Sequence, residues 1–206
     1  MARKTAAEAA RTRCRILEAA GELFSREGVA STTLEQIARQ ARVTRGAIYW
    51  HFKGKDALLD ALFSEQTLPL ESDLPQGLDF HRGWQRLQDG LVATVCGEIP
   101  RRLSGIMLHQ GACGTTPAIH RQRLAQTRQS FLGHLETLLE NAVARRELPA
   151  TLDIPGVLSF VRFSITGLLY ECLRDRDGPV VEAIASALAV LKEMLQFPPR
   201  HLLTVR

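Results

Sequence analysis

Apolar positions recur at spacings of three and four along almost the whole chain, the signature of helices with one buried face. In RCRILEAAGELFSREG, Ile16, Leu17, Ala20, Leu23 and Phe24 line one face, and Gly28 is placed to end that helix as its C-cap. In STTLEQIARQAR, Thr32 and Glu35 match a capping box. That pattern predicts a second helix from about Thr33, with Leu34, Ile37, Ala38 and Ala41 inward. After a break at Arg42 and Val43, Thr44 can cap a third helix whose inward residues are Ile48 and Phe52. Gly54 can cap a fourth, starting near Lys55 and running through Ala57, Leu58, Ala61, Leu62 and Phe63. The second and third helices read together as a helix-turn-helix. Each is too short to hold by propensity, so packing on the first and fourth must stabilise them.

From about Leu68 the punctuation is proline, at Pro69, Pro75, Pro100, Pro117, Pro149, Pro155 and Pro179. Long helical stretches are predicted between them, over residues 78–98, 101–111, 117–146, 154–174 and 180–196. Strand-like alternation is absent, so the expected fold class is all-α, with an N-terminal head over residues 1–67 and a C-terminal bundle over residues 68–206.

Composition adds modest constraints. Apolar residues make up 45% of the 206, enough for a real core and against wholesale disorder. The net charge is +4, and 11 lysines and arginines against 8 acidic residues through Gln66 place most of the excess in the head. A polyanion partner for the head is consistent with that asymmetry. Cys14, Cys96, Cys113 and Cys172 are scattered without a CxxC pair, so reduced thiols are expected. The basic opening MARKTAAEAARTR leads into no apolar signal core, and no uncharged apolar run approaches a membrane span. A cytoplasmic location is expected.

The stretch TRGAIYWHFKGK, from Thr44 to Lys55, combines an arginine, two glycines, four consecutive ring-bearing residues and two lysines. In its setting, GVASTTLEQIARQARVTRGAIYWHFKGKDALL, it resembles the DNA-binding signature of TetR-type transcriptional repressors. The wording TRGAIYWHFK and the MARKT opening are most similar to the AcrR-like repressors of multidrug efflux pumps, and LPATLDIPGVLSFVRFSITGLLYECL resembles that subgroup more loosely.

The resemblance implies that the third helix reads double-stranded operator DNA. Arg45 would reach a base edge in the major groove, guanine by preference. Gly46 and Ala47 would let the backbone approach, with Ala47 near a thymine methyl. Tyr49 and His51 would donate to phosphates, as would Thr33, Thr44 and Lys55 at helix starts. Trp50 either rests on the sugar-phosphate edge or packs against the next helix. Arg3, Lys4, Arg11 and Arg13 form either an arm over the DNA or a disordered basic tail. Where the family usually has glycine in the turn, this chain has Arg42, for which a left-handed conformation costs about 1 kcal/mol. Arg42 could add a phosphate contact.

For the bundle, the resemblance implies a homodimer built by the last two helices. The stripes offered for it are Leu158, Val161, Ile165, Leu168, Leu169 and Cys172, and Ile184, Ala187, Leu188, Leu191 and Leu195. The alternative is that these stripes cover the chain's own core. An amphipathic or hydrophobic inducer would sit among the middle helices, near Trp84, Leu87, Leu91, Met107, His109, Gln110, Phe131, His134, Leu135, Phe163 and Thr166. The same residues also read as plain core. HQGACGTTP, with Gly111 and Gly114 breaking a helix next to Pro117, is either a hinge or an ordinary loop.

The expected function is a ligand-responsive repressor that binds a palindromic operator as a dimer. It would control a multidrug efflux operon and be released by drugs. A repressor of a metabolite or fatty-acid pathway on the same fold is the alternative. His109 and Cys113 have helical spacing, but no second metal-ligand pair completes a site, and no catalytic motif occurs. No enzyme activity, no cofactor and no metal are expected.

Overall fold

The computed structural model describes residues 6–65, 68–75, 77–112, 118–174 and 178–204, with the backbone alone for residues 108–112, 118–121, 123 and 124. Regular structure among the described residues is helical, apart from one antiparallel bridge between Leu152 and Leu203. The α-helices in chain order are α1 (Ala6–Glu27), α2 (Leu34–Gln40), α3 (Arg45–His51), α4 (Lys55–Ser64), α5 (Phe80–Cys96), α6 (Glu98–Ala112), α7 (Ala118–Ala144), α8 (Ile154–Arg174) and α9 (Val180–Gln196). Two short 3-10 turns lie at Pro69–Glu71 and Arg200–Leu202. α8 and α9 have the predicted bounds. α6 starts earlier than expected, at Glu98, because Pro100 sits in its first turn, where a missing N–H costs nothing. It also runs through Gly111 to Ala112. The rest of the predicted break, from Cys113 to Pro117, lies outside the described residues.

Two compact units emerge. One draws on Met1–Thr67 and Arg102–Arg123, the other on Leu68–Arg101 and Leu124–Arg206.

In the first unit α1 packs on α2, α3 and α4. Ile16, Ala20, Leu23 and Phe24 of α1 meet a core that includes Ile37, Ile48, Leu58, Leu59 and Phe63. Gly28 ends α1 with φ 81°, and its N–H donates to the Phe24 carbonyl. The cap of α2 lies one residue later than the predicted Thr32–Glu35 box. Thr33 is the N-cap and Gln36 its partner, through Gln36 N–H to Thr33 Oγ1 at 3.2 Å and Thr33 N–H to Gln36 Oε1 at 2.7 Å. Thr32 is unavailable because it is fully buried, its hydroxyl donating to the Gly28 carbonyl at 2.8 Å.

Arg42 holds φ 52°, the left-handed conformation for which glycine is usual. Its N–H donates to the Arg39 carbonyl and that of Val43 to the Ala38 carbonyl. These bonds form a Schellman motif, so the conformation closes α2 and satisfies its last carbonyls. Arg146 ends α7 the same way, with φ 61° and bonds to Val143 and, from Glu147, to Ala142.

In the second unit α5 lies against α8, α9 and the first 3-10 turn. Phe80, Trp84, Leu87, Leu91 and Val95 of α5 share one apolar cluster with Phe131, Leu135 and Leu138 of α7. From the last two helices the cluster takes Val157, Val161, Ile165 and Cys172 of α8 and Ile184, Leu188, Leu191 and Leu195 of α9. Of the two stripes offered for a partner, Val161, Ile165, Cys172, Ile184, Leu188, Leu191 and Leu195 are thus buried within the chain itself, and Leu158, Leu168 and Leu169 are half-buried against the same cluster. A different set of apolar side chains is exposed: Phe160, Phe163 and Tyr170 on α8, and Val181, Val190 and Phe197 at α9. By length and composition α8 alone among the described helices could cross a membrane. Val157, Val161, Ile165 and Cys172 form its buried face, within the apolar cluster.

Candidate nucleic-acid interface

The third helix is held by two apolar side chains and presented by a hydroxyl. Ile48 is fully buried and Phe52 nearly so, and the Phe52 N–H closes the helix on the Ile48 carbonyl at 2.8 Å. Thr44 caps the other end, its Oγ1 accepting from the Ala47 N–H at 3.2 Å. With those ends fixed, Arg45, Gly46, Tyr49 and Trp50 are all exposed on α3, and Ala47 and His51 are half-buried. Trp50 is 73% exposed, with its ring edge-to-face against His51 at 4.4 Å between centroids. Gly46 has ample room: a Cβ there would meet only Thr44 Oγ1, at 3.9 Å.

Arg45 is engaged with its own helix. Its guanidinium donates to Tyr49 Oη at 3.2 Å and lies 5.6 Å from the centre of the Tyr49 ring. The hydrogen bond to Tyr49 raises the guanidinium pKa further above its already high ordinary value. Arginine and tyrosine at i and i+4 meet on one helix face, so the pairing follows from spacing.

Lys55 is placed differently from the sequence expectation. Its ammonium donates to the carbonyls of Val29, at 2.9 Å, and Ala30, at 3.2 Å. It thereby fastens the start of α4 to the loop between α1 and α2. Arg13 belongs neither to an arm nor to a tail. It lies within α1, pairs with Glu65 through its two terminal guanidinium nitrogens, and sits 5.1 Å over the Phe52 ring. Arg11 is exposed on α1, and Arg3 and Lys4 lie outside the described residues.

Residues 16–62, which span α1 to α4, match the model of the bacterial regulatory proteins of the tetR family. Across 98% of this chain and 94% of its own length, the transcriptional regulator SrpR of Pseudomonas putida is 41% identical. AcrR of Shigella flexneri is 35% identical over 97% of this chain and 96% of its own. The chain belongs to the TetR family of transcriptional regulators. Within it, it is a repressor of the AcrR-like, efflux-repressor type. Among solved structures, NalD, the secondary repressor of the MexAB-OprM multidrug efflux pump in Pseudomonas aeruginosa, has a TM-score of 0.75 and 28% identity. That similarity covers 94% of this chain and 100% of NalD. SmeT in complex with triclosan has a TM-score of 0.71 and 26% identity, over 88% of this chain and 90% of its own.

The residues expected to meet an inducer divide into groups. Trp84, Leu87, Leu91, Phe131 and Leu135 come together in the apolar cluster of the second unit. Trp84 Nε1 donates to the Leu188 carbonyl at 3.2 Å, which satisfies its polar edge inside the protein. His134 is half-buried, with Nε2 3.2 Å from Asp73 Oδ1. Phe163 and Thr166 do not join them. Phe163 is 68% exposed beneath the Arg162 guanidinium, and Thr166 is exposed with its hydroxyl on the Arg162 carbonyl. They lie off the Val161–Ile165 face, so the helical period turns them outward. Met107 is buried in the first unit, and the side chains of His109 and Gln110 lie outside the described residues.

One feature of the TetR head escaped the sequence reading. An open cleft of about 320 Å³ lies beside the turn, lined by Arg15, Glu18, Glu22, Gln40 and Arg42 among others. Its charged lining sets it apart from an apolar drug pocket. Arg15 Nη2 donates across it to the Arg42 carbonyl at 3.3 Å, a contact between residues too far apart in sequence for any local pattern to announce.

Proposed function

We propose that this regulator binds a palindromic operator as a homodimer, represses a multidrug efflux operon in the cytoplasm, and releases DNA when an amphipathic drug fills its body. The observation that carries the proposal is the division of α3: Ile48 and Phe52 go into the core, while Arg45, Gly46, Tyr49 and Trp50 share the exposed side. A seven-residue helix presented this way suits the major groove, with Arg45 reading a base and Trp50 and His51 meeting the backbone.

Dimerisation is supported by the second apolar stripe of α8. Phe160, Phe163, Gly167 and Tyr170 are exposed at successive spacings of three, four and three, and Val190 and Phe197 extend the apolar surface at α9. A surface of this kind on two neighbouring helices fits a twofold mate. The release step is a population shift, in which the ligand favours a dimer whose two α3 helices are wrongly spaced for DNA. Relatives described as efflux-pump repressors, and one in complex with triclosan, support the drug assignment.

Fluorescence anisotropy on the gene's own upstream DNA, at fixed salt and with random DNA as control, tests the reading. Specific binding released by several amphipathic drugs is the expected result. Specific binding that no drug releases keeps the repressor and discards the drug assignment in favour of a metabolite-responsive one. Absence of any preference over random DNA, together with no effect of Arg45→Ala, overturns the DNA-reading role of α3.

A further inference from the structure

We infer that Tyr49 is a positioning residue for Arg45: its phenol holds the guanidinium in the pose that reads the base, rather than serving as an independent phosphate donor. The inference rests on the reading of α3 as the DNA-reading helix.

The chemistry of the pair fixes its direction. A guanidinium only donates, so the 3.2 Å bond runs from Arg45 Nη2 to Tyr49 Oη, which uses an acceptor lone pair of the phenol. The ring supplies a second restraint, because the guanidinium carbon lies 5.6 Å from its centroid, within cation–π range. Both groups are solvent-exposed, so no core packing explains the arrangement. An unrestrained arginine at this position would sample many rotamers and lose that freedom on meeting a base. Held from both its edge and its face, Arg45 has lost part of that freedom before DNA arrives. One Nη2 hydrogen is committed to Oη, which leaves the other N–H groups of the fork for a bidentate acceptor such as guanine O6 and N7. Tyr49 itself is anchored one residue after the buried Ile48, which keeps the restraint rigid relative to the head.

This arrangement predicts coupling. Ordering a rotamer-rich side chain at an interface accounts for about a 2- to 10-fold change in affinity for each Arg45 engaged. Tyr49→Phe keeps the ring and removes only the oxygen, and at a side chain 50% exposed it leaves the fold intact, as far-UV circular dichroism will verify.

The experiment is a double-mutant cycle on the full-length protein: wild type, Arg45→Ala, Tyr49→Phe and the double variant. Each is titrated by anisotropy against a duplex selected by the wild type from a random pool, and against a scrambled duplex. The expected result has three parts. Tyr49→Phe weakens binding to the selected duplex by about 2- to 10-fold for each half-site engaged. It leaves the scrambled duplex unaffected, and it does nothing further once Arg45 is alanine. Repeating the selection with Tyr49→Phe should relax the base preference at the same position that Arg45→Ala relaxes. An equal loss in both backgrounds, or no loss in either, overturns the inference while Arg45→Ala alone still weakens the selected duplex. If Arg45→Ala binds that duplex like wild type, the reading of α3 itself has failed.

Discussion

Arg15 donates to the carbonyl of Arg42 across 3.3 Å, and Arg42 is the residue that turns the chain from α2 into α3 with φ 52°. The first helix thus steadies the turn at the position where a side chain is least welcome. The Schellman bonds from Arg42 and Val43 show that the turn forms regardless, at a cost of about 1 kcal/mol for the left-handed conformation. Arg42→Gly relieves that cost but frees the unfolded chain, so the head should gain up to about 1 kcal/mol. A shift of the urea midpoint to lower concentration would contradict this account. The salt dependence of DNA binding answers a separate question: if Arg42 meets a phosphate, the slope of log affinity against log salt shrinks by about one for each charge lost.

Gly46 offers a cleaner separation of stability from function. A methyl at this position meets nothing closer than Thr44 Oγ1 at 3.9 Å, and alanine favours a helix over glycine by about 1 kcal/mol. Gly46→Ala should therefore leave the head equally or more stable in denaturant while binding its selected duplex at least about tenfold more weakly. Unchanged affinity would mean that the backbone of α3 does not come close to DNA.

Local signals explain which parts of this structure were legible in the sequence. The bounds of α8 and α9 followed from uninterrupted periodicity with Pro155 and Pro179 at their starts. The inward turn of Ile48 and Phe52 followed from their spacing of four. What periodicity left undetermined was the partner of each face. α8 carries two apolar stripes, Val161–Ile165 and Phe160–Phe163–Tyr170, and only the fold reveals that the first is buried internally. Adjacent threonines made the cap of α2 ambiguous by one residue, until the burial of Thr32 decided it. Lys55 on the Val29 carbonyl and Arg13 on Glu65 are tertiary contacts, for which no short-range pattern exists. The Arg45–Tyr49 pair has the i, i+4 spacing of a helix face, but the two residues were expected to make separate DNA contacts.

Acid should weaken the head through Glu65. The hydrogen bond from Arg13 holds the Glu65 carboxyl below the usual carboxylate range, against the opposing effect of partial burial. The same bond raises Arg13 above its ordinary value. A carboxyl with a lower pKa in the folded state stabilises it above the unfolded pKa, and that contribution is lost as pH falls through the folded one. Because the side chains are 36% and 43% exposed, solvent screening limits the contribution to under about 1 kcal/mol. Glu65→Gln should thus be slightly less stable than wild type at neutral pH, with the gap closing below the ordinary carboxylate range. Parallel denaturation curves at pH 7 and at acid pH test the sign; a gap that widens in acid would refute it.

At Gly83 of α5, the Leu138 side chain of α7 fills the space that a Cβ would take. A Cβ at this position would lie 2.3 Å from Leu138 Cδ1, 3.0 Å from Cδ2 and 3.2 Å from Cγ. The whole branch of Leu138 would have to move, inside a cluster where that residue is already buried. Gly83→Ala should destabilise the protein by about 1–3 kcal/mol despite the better helix propensity of alanine. Combined with Leu138→Ala, the clash disappears and the two costs should fall short of their sum. Strict additivity in thermal melts would show that the close approach is not what constrains position 83.

The outward stripe of α8 and α9 makes the proposed dimer testable without disturbing the core. Phe163 is 68% and Val190 65% exposed within the chain, so a charge at either position should alter the stability of a single protomer by no more than about 0.5 kcal/mol. Placed on both sides of a twofold interface, the same charge meets its own symmetry mate in a desolvated setting, where like charges repel. Val190→Glu and Phe163→Glu should sediment as monomers at concentrations where the wild type is a dimer, with helical circular dichroism retained. Operator binding should fall with dimerisation, because one α3 alone reads only half of a palindrome. Variants that remain dimeric would move the interface away from this stripe, and monomers that keep full operator affinity would separate DNA binding from dimerisation.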